Sequence, residues 1–146
     1  MPSRRAIFTV AAILSSAVAA TTVFAQDPIA EREKLMKEWG QATRPVGAML
    51  QGKASFDLAT VQTALDSYVK NAAVLPTLFP EGSQAKTDAL PAVWSRNDEF
   101  KALFAKFGTD AAAAKAAITD EASFKANFPG VVQSCGTCHD SFRQKS

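Results

Sequence analysis

The chain has 146 residues, of which 47% are hydrophobic and 21% charged, and a formal charge of +2. So small a cationic excess excludes a nucleic-acid footprint, which needs a clear basic surplus on one face. The length suffices for one domain with one core and excludes a two-domain machine.

Residues 1–25 read as a cleaved secretory signal peptide. Arg4 and Arg5 form its basic start, Ala6 to Ala20 an apolar run, and Val23-Phe24-Ala25 a small-residue cleavage pattern. A membrane anchor is the rival reading, but Thr9, Ser15, Ser16, Thr21 and Thr22 interrupt the run and no second apolar stretch follows. Cleavage removes two of the sixteen basic residues and none of the fourteen acidic ones, so fourteen of each remain and the mature chain is neutral. The mature domain, residues 26–146, is expected in the periplasm with no membrane anchor.

Four amphipathic stretches follow, with almost no alternating pattern, so the chain is predicted to be all-α. The first covers residues 28–51 and puts Ile29, Met36, Trp39, Val46 and Leu50 on one face, with Pro28 suited to its first turn. A proline inside a helix loses a backbone bond and crowds the preceding turn, so a kink is expected between Gly40 and Pro45. The second, residues 57–75, starts at Asp57, a capping residue, and aligns Val61, Ala64, Leu65, Tyr68, Ala72 and Leu75. Pro76 is expected to end it. Residues 76–94 hold three prolines and Gly82 and form the longest irregular connection, the crossover between two helix pairs. The third helix is predicted to start at Ser95 or Asn97 and to bury Phe100, Leu103, Phe104, Phe107, Ala111 and Ala114. The fourth follows an Asp120 cap and aligns Phe124, Phe128, Val131, Val132, Cys135, Cys138, His139 and Phe142. Helices of this length with short links predict an antiparallel four-helix bundle, whose core suits a flat apolar cofactor.

The two cysteines and the single histidine of the chain all lie in Cys135-Gly136-Thr137-Cys138-His139. A disulfide between neighbours three apart closes almost no loop and adds little stability. A zinc site needs about four ligands and finds no other cysteine or histidine here. A thioredoxin-like pair needs a strand before it and a helix beginning at it, whereas this motif lies late in a predicted helix. Cys-x-x-Cys-His is the attachment signature of c-type haem, in which each thiol joins a vinyl group and the imidazole binds iron. At about 100° per residue, Cys138 and His139 stand about 300° and 400° on from Cys135, so the three share one helix face.

The motif ends seven residues before the last residue, on the last predicted helix. With Phe142-Arg143 after it, Leu35-Met36-Lys37 preceded by Arg32 in the first helix, and Phe56-Asp57 at the second helix start, the chain resembles the class II cytochromes c, the cytochrome c-prime family. The resemblance covers the whole mature chain. It implies a four-helix bundle carrying one covalent haem c on the last helix.

The sixth iron ligand separates two functions. In such a bundle the start of the first helix lies beside the end of the last, so Met36, about 12 Å into its helix, shares a layer with His139, while Met49 is about 20 Å further along. The resemblance implies methionine at this position in low-spin electron carriers and an apolar residue in five-coordinate, gas-binding members. Methionine ligation favours ferrous iron and suits an electron shuttle, although methionine on an inner helix face is ordinarily core filling. Arg32, one turn before Met36, and Arg143, four residues after His139, are expected to reach the haem propionates, since arginine pairs with carboxylates through two donors. The alternative is an open iron that binds nitric oxide or carbon monoxide, favoured if the kink at Pro45 swings Met36 away. An enzyme is not expected, because no second histidine or nearby base is available to assist chemistry at the iron. The expected partners are redox proteins, and a monomer and a homodimer are both compatible with the sequence.

Overall fold

The computed structural model describes residues 27–145, so the predicted signal peptide lies outside the described residues. Five helices follow one another: α1 (Pro28–Leu50), α2 (Leu58–Val74), the single turn α3 (Ala92–Ser95), α4 (Asn97–Ala117) and α5 (Glu121–Phe142). The four long ones form the expected antiparallel bundle. Among the described residues, the extended backbone is limited to one isolated bridge between Ala89 and Arg143.

The helix starts follow local chemistry. Asp27 accepts from the Ile29 amide at 2.9 Å, and Asp57 accepts from the Thr60 amide at 2.6 Å, so each aspartate satisfies a donor the first turn leaves free. Asp120 does more: its carboxylate accepts from the Ser123 amide at 2.8 Å while the Ser123 hydroxyl accepts from the Asp120 amide at 3.0 Å, a reciprocal capping box. Helix α1 ends before Gly52, whose φ of +68° is one that glycine adopts without steric cost.

The kink expected between Gly40 and Pro45 does not interrupt α1, which runs unbroken from Pro28 to Leu50. Pro45 and Gln41 are both exposed, so water can serve the carbonyl that the proline deprives of its partner. Pro129 is carried inside α5 in the same exposed manner. Helix α2 ends at Val74, just before Pro76 as expected, and the chain continues as a 3₁₀ turn over Leu75–Leu78.

Helices α2 and α4 make the closest pairing, α1 packs on α2, and α5 packs on α4. The α2–α4 approach requires a small residue, because a Cβ at Gly108 would stand 3.3 Å from Cβ of Ala72. At one end of this pair the Gln62 amide donates to Lys115 O at 3.1 Å and Ile118 O at 2.9 Å, covering the last carbonyls of α4. By contrast α1 and α5 barely approach each other. The core falls into two clusters. The larger joins Val46, Met49, Val61, Leu65, Phe124 and Phe128, and the smaller joins Leu35, Leu75, Val93, Phe100, Phe104 and Phe142 at the end of the bundle where α1 starts and α5 finishes.

Phe124 is 0% exposed and stacks on Phe56 at 5.5 Å and Phe128 at 5.3 Å. Phe124→Ala is expected to cost about 3–5 kcal/mol, read by denaturant unfolding, because the transfer and cavity terms add. At Val74, 42% exposed, replacement by serine is expected to stay within about 0.5 kcal/mol. The hydrogen bonds at Asp57 and Asp120 hold both carboxyls below the ordinary carboxylate range. Their stabilisation is therefore present above the unfolded-state value, about 3.9, and is lost as pH falls through the lower folded values. Asp120→Ala is expected to flatten the acid limb of a stability-against-pH curve.

Candidate haem-binding site

Helix α5 carries the motif where the two core clusters meet. Cys135 packs against the larger cluster and Cys138 against the smaller. Both thiols are free and half-buried, and His139 is also half-buried. Burial pushes the Cys135 thiol up and the Cys138 thiol up to about 11, so both are protonated at neutral pH. Burial and then the Arg143 charge push His139 down, against an opposing contribution from Asp140. A neutral imidazole keeps the lone pair that a metal needs.

Opposite, α1 contributes Met36, half-buried and packed on the smaller cluster that also receives Cys138. Met49 is 8% exposed in the larger cluster, so the two methionines occupy different core clusters. Trp39, one turn beyond Met36, is turned into the bundle: its ring lies 4.9 Å from Phe107 and 5.9 Å from Tyr68, and its indole N–H donates to Ser67 O at 3.1 Å. Buried Tyr68 meets the Thr43 hydroxyl at 2.7 Å.

The two arginines differ in setting. Arg143 is exposed, its amide donating to His139 O at 3.1 Å at the end of α5. Arg32 is only 3% exposed. One of its terminal nitrogens donates to Leu78 O and the Ser83 hydroxyl, both at 3.0 Å, and the other to Ser83 O at 2.8 Å. Its guanidinium lies 4.5 Å from the centre of the Phe79 ring. Desolvation lowers its pKa from the ordinary value, while Glu33 and Asp27 oppose that effect.

A third arginine escaped the sequence reading. Arg96, between α3 and α4, lies over the Phe142 ring at 4.7 Å and donates to Ser141 O at 3.4 Å, on the last turn of the helix that bears the motif. Only the proximity of α3 to α5 brings it there, and no local motif marks it. Buried Ser83 also carried no local signal.

Two thiols and an imidazole kept neutral by burial, on one face of a helix that makes little contact with α1, fit a covalently held flat macrocycle. Among the described residues no three histidine, cysteine, aspartate or glutamate side chains converge on a common point, so a zinc site lacks its ligand set.

The comparisons with known proteins agree with this chemistry. A family profile described as Cytochrome C' matches residues 27–143. The cytochrome c' of Rhodopseudomonas palustris is 46% identical over 121 residues, covering 82% of this chain and 83% of that protein. A cytochrome c-556 of Agrobacterium fabrum is 38% identical over 136 residues, covering 92% and 93%. The solved cytochrome c' structure from Rhodopseudomonas palustris superposes with a TM-score of 0.81 at 45% identity, covering 84% of this chain and 99% of that one. A structure of oxidized cytochrome c556 from the same organism gives 0.76 at 31% identity, covering 84% and 99%. This chain therefore belongs to the cytochrome c' family, the class II cytochromes c, and carries one covalently attached haem c.

Proposed function

We propose that this protein is a periplasmic electron carrier whose haem iron is held low-spin by His139 and Met36. The observation that carries the proposal is the shared packing of Met36 and Cys138 on one apolar cluster, with Met49 excluded from it. The haem, when bound, supplies an iron that gains and loses one electron. Cys135 and Cys138 anchor its edge, and His139 offers a neutral imidazole to the metal. The Met36 thioether, a soft donor, favours the ferrous state and raises the reduction potential. Phe142, Phe104 and Leu35 are buried in the cluster on which Met36 packs and make that side apolar. Arg143, exposed near the end of α5, is available to pair with a propionate. Arg32, expected from the sequence to do the same, is instead buried against the crossover, where its guanidinium is engaged by Leu78 and Ser83.

Similarity to a protein named cytochrome c-556 over most of the chain is compatible with this reading. The greater identity with a protein named cytochrome c' favours a second one, in which Met36 only crowds an open iron that takes nitric oxide or carbon monoxide. The partners of the first reading are redox proteins that meet the exposed haem edge. Among the described residues no helix is long and apolar enough to cross a membrane.

Absorption spectra of the oxidised and reduced holoprotein separate the two readings. Electron transfer through Met36 predicts sharp low-spin bands and a far-red sulfur-to-iron band, and Met36→Ala is expected to abolish that band and admit carbon monoxide. An unchanged spin state in Met36→Ala excludes methionine ligation. Cys135→Ser or Cys138→Ser is expected to leave haem held by one thioether, and the double substitution to leave none, as read by the mass of the denatured protein.

A further inference from the structure

We propose that Arg32 is a positioning residue that sets the spacing of α1 and α5 through the crossover, and so the seating of Met36 on the iron. The inference rests on methionine ligation as proposed above.

The reason lies in what joins the two helices. Met36 and His139 stand on α1 and α5, which make little direct contact. Besides the packing through α2 and α4 and the core cluster they share, residues 78–90 join them, fastened at both ends. On the α1 side the fastening is Arg32, with three hydrogen bonds to Leu78 and Ser83 and a stack on Phe79. Its main acceptor is itself held in place: the Ser83 amide returns to Pro80 O at 3.2 Å across Gly82, whose φ is +86°. The Ser83 hydroxyl also donates to Pro80 O at 2.7 Å. Such a turn, with glycine at its third position, aims Ser83 at the guanidinium. Ser83 is 5% exposed, so these are charge-assisted bonds in a dry setting, where breaking one is costly.

On the α5 side the fastening is backbone to backbone. The Leu90 amide donates to Phe142 O at 2.9 Å and the Gln144 amide to Asp88 O at 2.8 Å, flanking the Ala89–Arg143 bridge. Phe142 is three residues beyond His139, and Arg32 is four before Met36, on the same face of α1. A short strap thus runs from one turn before the sixth ligand to one turn after the fifth. Loosening it allows α1 to drift from α5, and a thioether, the weaker axial ligand, is the first bond to yield. The fraction of protein with Met36 off the iron then rises, and external ligands bind in proportion to that fraction.

The test uses the holoprotein and its Arg32→Lys, Ser83→Ala and Met36→Ala variants. Ser83→Ala leaves Arg32 in place and so separates the strap from any pairing of Arg32 with a propionate. Arg32→Lys and Ser83→Ala are each expected to weaken the far-red sulfur-to-iron band and to raise the apparent affinity of the ferrous protein for carbon monoxide by about tenfold. The same substitutions in a Met36→Ala background are expected to change it less than about twofold, because the competing ligand is gone. Faster amide hydrogen exchange at Leu90 and Gln144 in Arg32→Lys, at the far end of the strap, is the structural counterpart. Lower thermal stability in both variants with wild-type carbon monoxide affinity and far-red band overturns the proposal, since Arg32 then supports only the fold. If Met36→Ala itself leaves the spectrum unchanged, the ligation reading fails. Exchange at Leu90 and Gln144 still reports the strap in that case, and wild-type rates there overturn it separately.

Discussion

Helices α1 and α5 make little direct contact, and the cohesion of the bundle rests on the other helix pairs. Cohesion shifts to the opposite flank, where α2 and α4 meet closely enough to need Gly108 against Ala72. Gln62 closes the far end of that pair by bonding the last carbonyls of α4. The aromatic rings bridge the remaining distance. Trp39 reaches from α1 to Tyr68 and Phe107, and Phe100 reaches from α4 to Phe142. Large flat side chains span gaps that aliphatic ones leave open.

The division of the core has a chemical counterpart. The larger cluster is made by the end of α1, most of α2, the later half of α4 and the first half of α5, and keeps Met49 buried among hydrocarbon. The smaller one gathers the start of α1, the 3₁₀ turn, α3, the start of α4 and the end of α5. Cys138 and Met36 pack here together, while Cys135 packs on the larger cluster. Burial keeps the thiols and the imidazole neutral, while the Arg32 guanidinium remains charged and is compensated by carbonyl dipoles.

Much of this was legible along the chain. The four long helices, their aspartate caps and the inward faces follow from local rules, because capping and amphipathic periodicity act within a turn or two. The prolines were less transparent. Pro45 and Pro129 were survivable inside helices because their turns face water, and exposure depends on how the helix is rotated in the bundle. The one-turn helix α3 left too little periodicity to be seen, being four residues long.

Within the candidate site the same boundary holds. The sequence by itself singled out Cys135, Cys138 and His139 as the candidate haem attachment residues, since they are the only groups of their kind and helical geometry alone puts them on one face. It also marked Met36 through its distance along α1. Tertiary structure decided what lies between the two helices. Arg32 read as a residue for the haem edge, yet in the fold its donors meet Leu78 and Ser83, 46 and 51 residues away. Arg96 reaches Ser141, 45 residues on, in the same manner. Bonds of that span depend on where the crossover comes to rest, and its course is set by apolar packing around α3 and by backbone pairing with the end of α5, neither of which leaves a periodic mark in the chain.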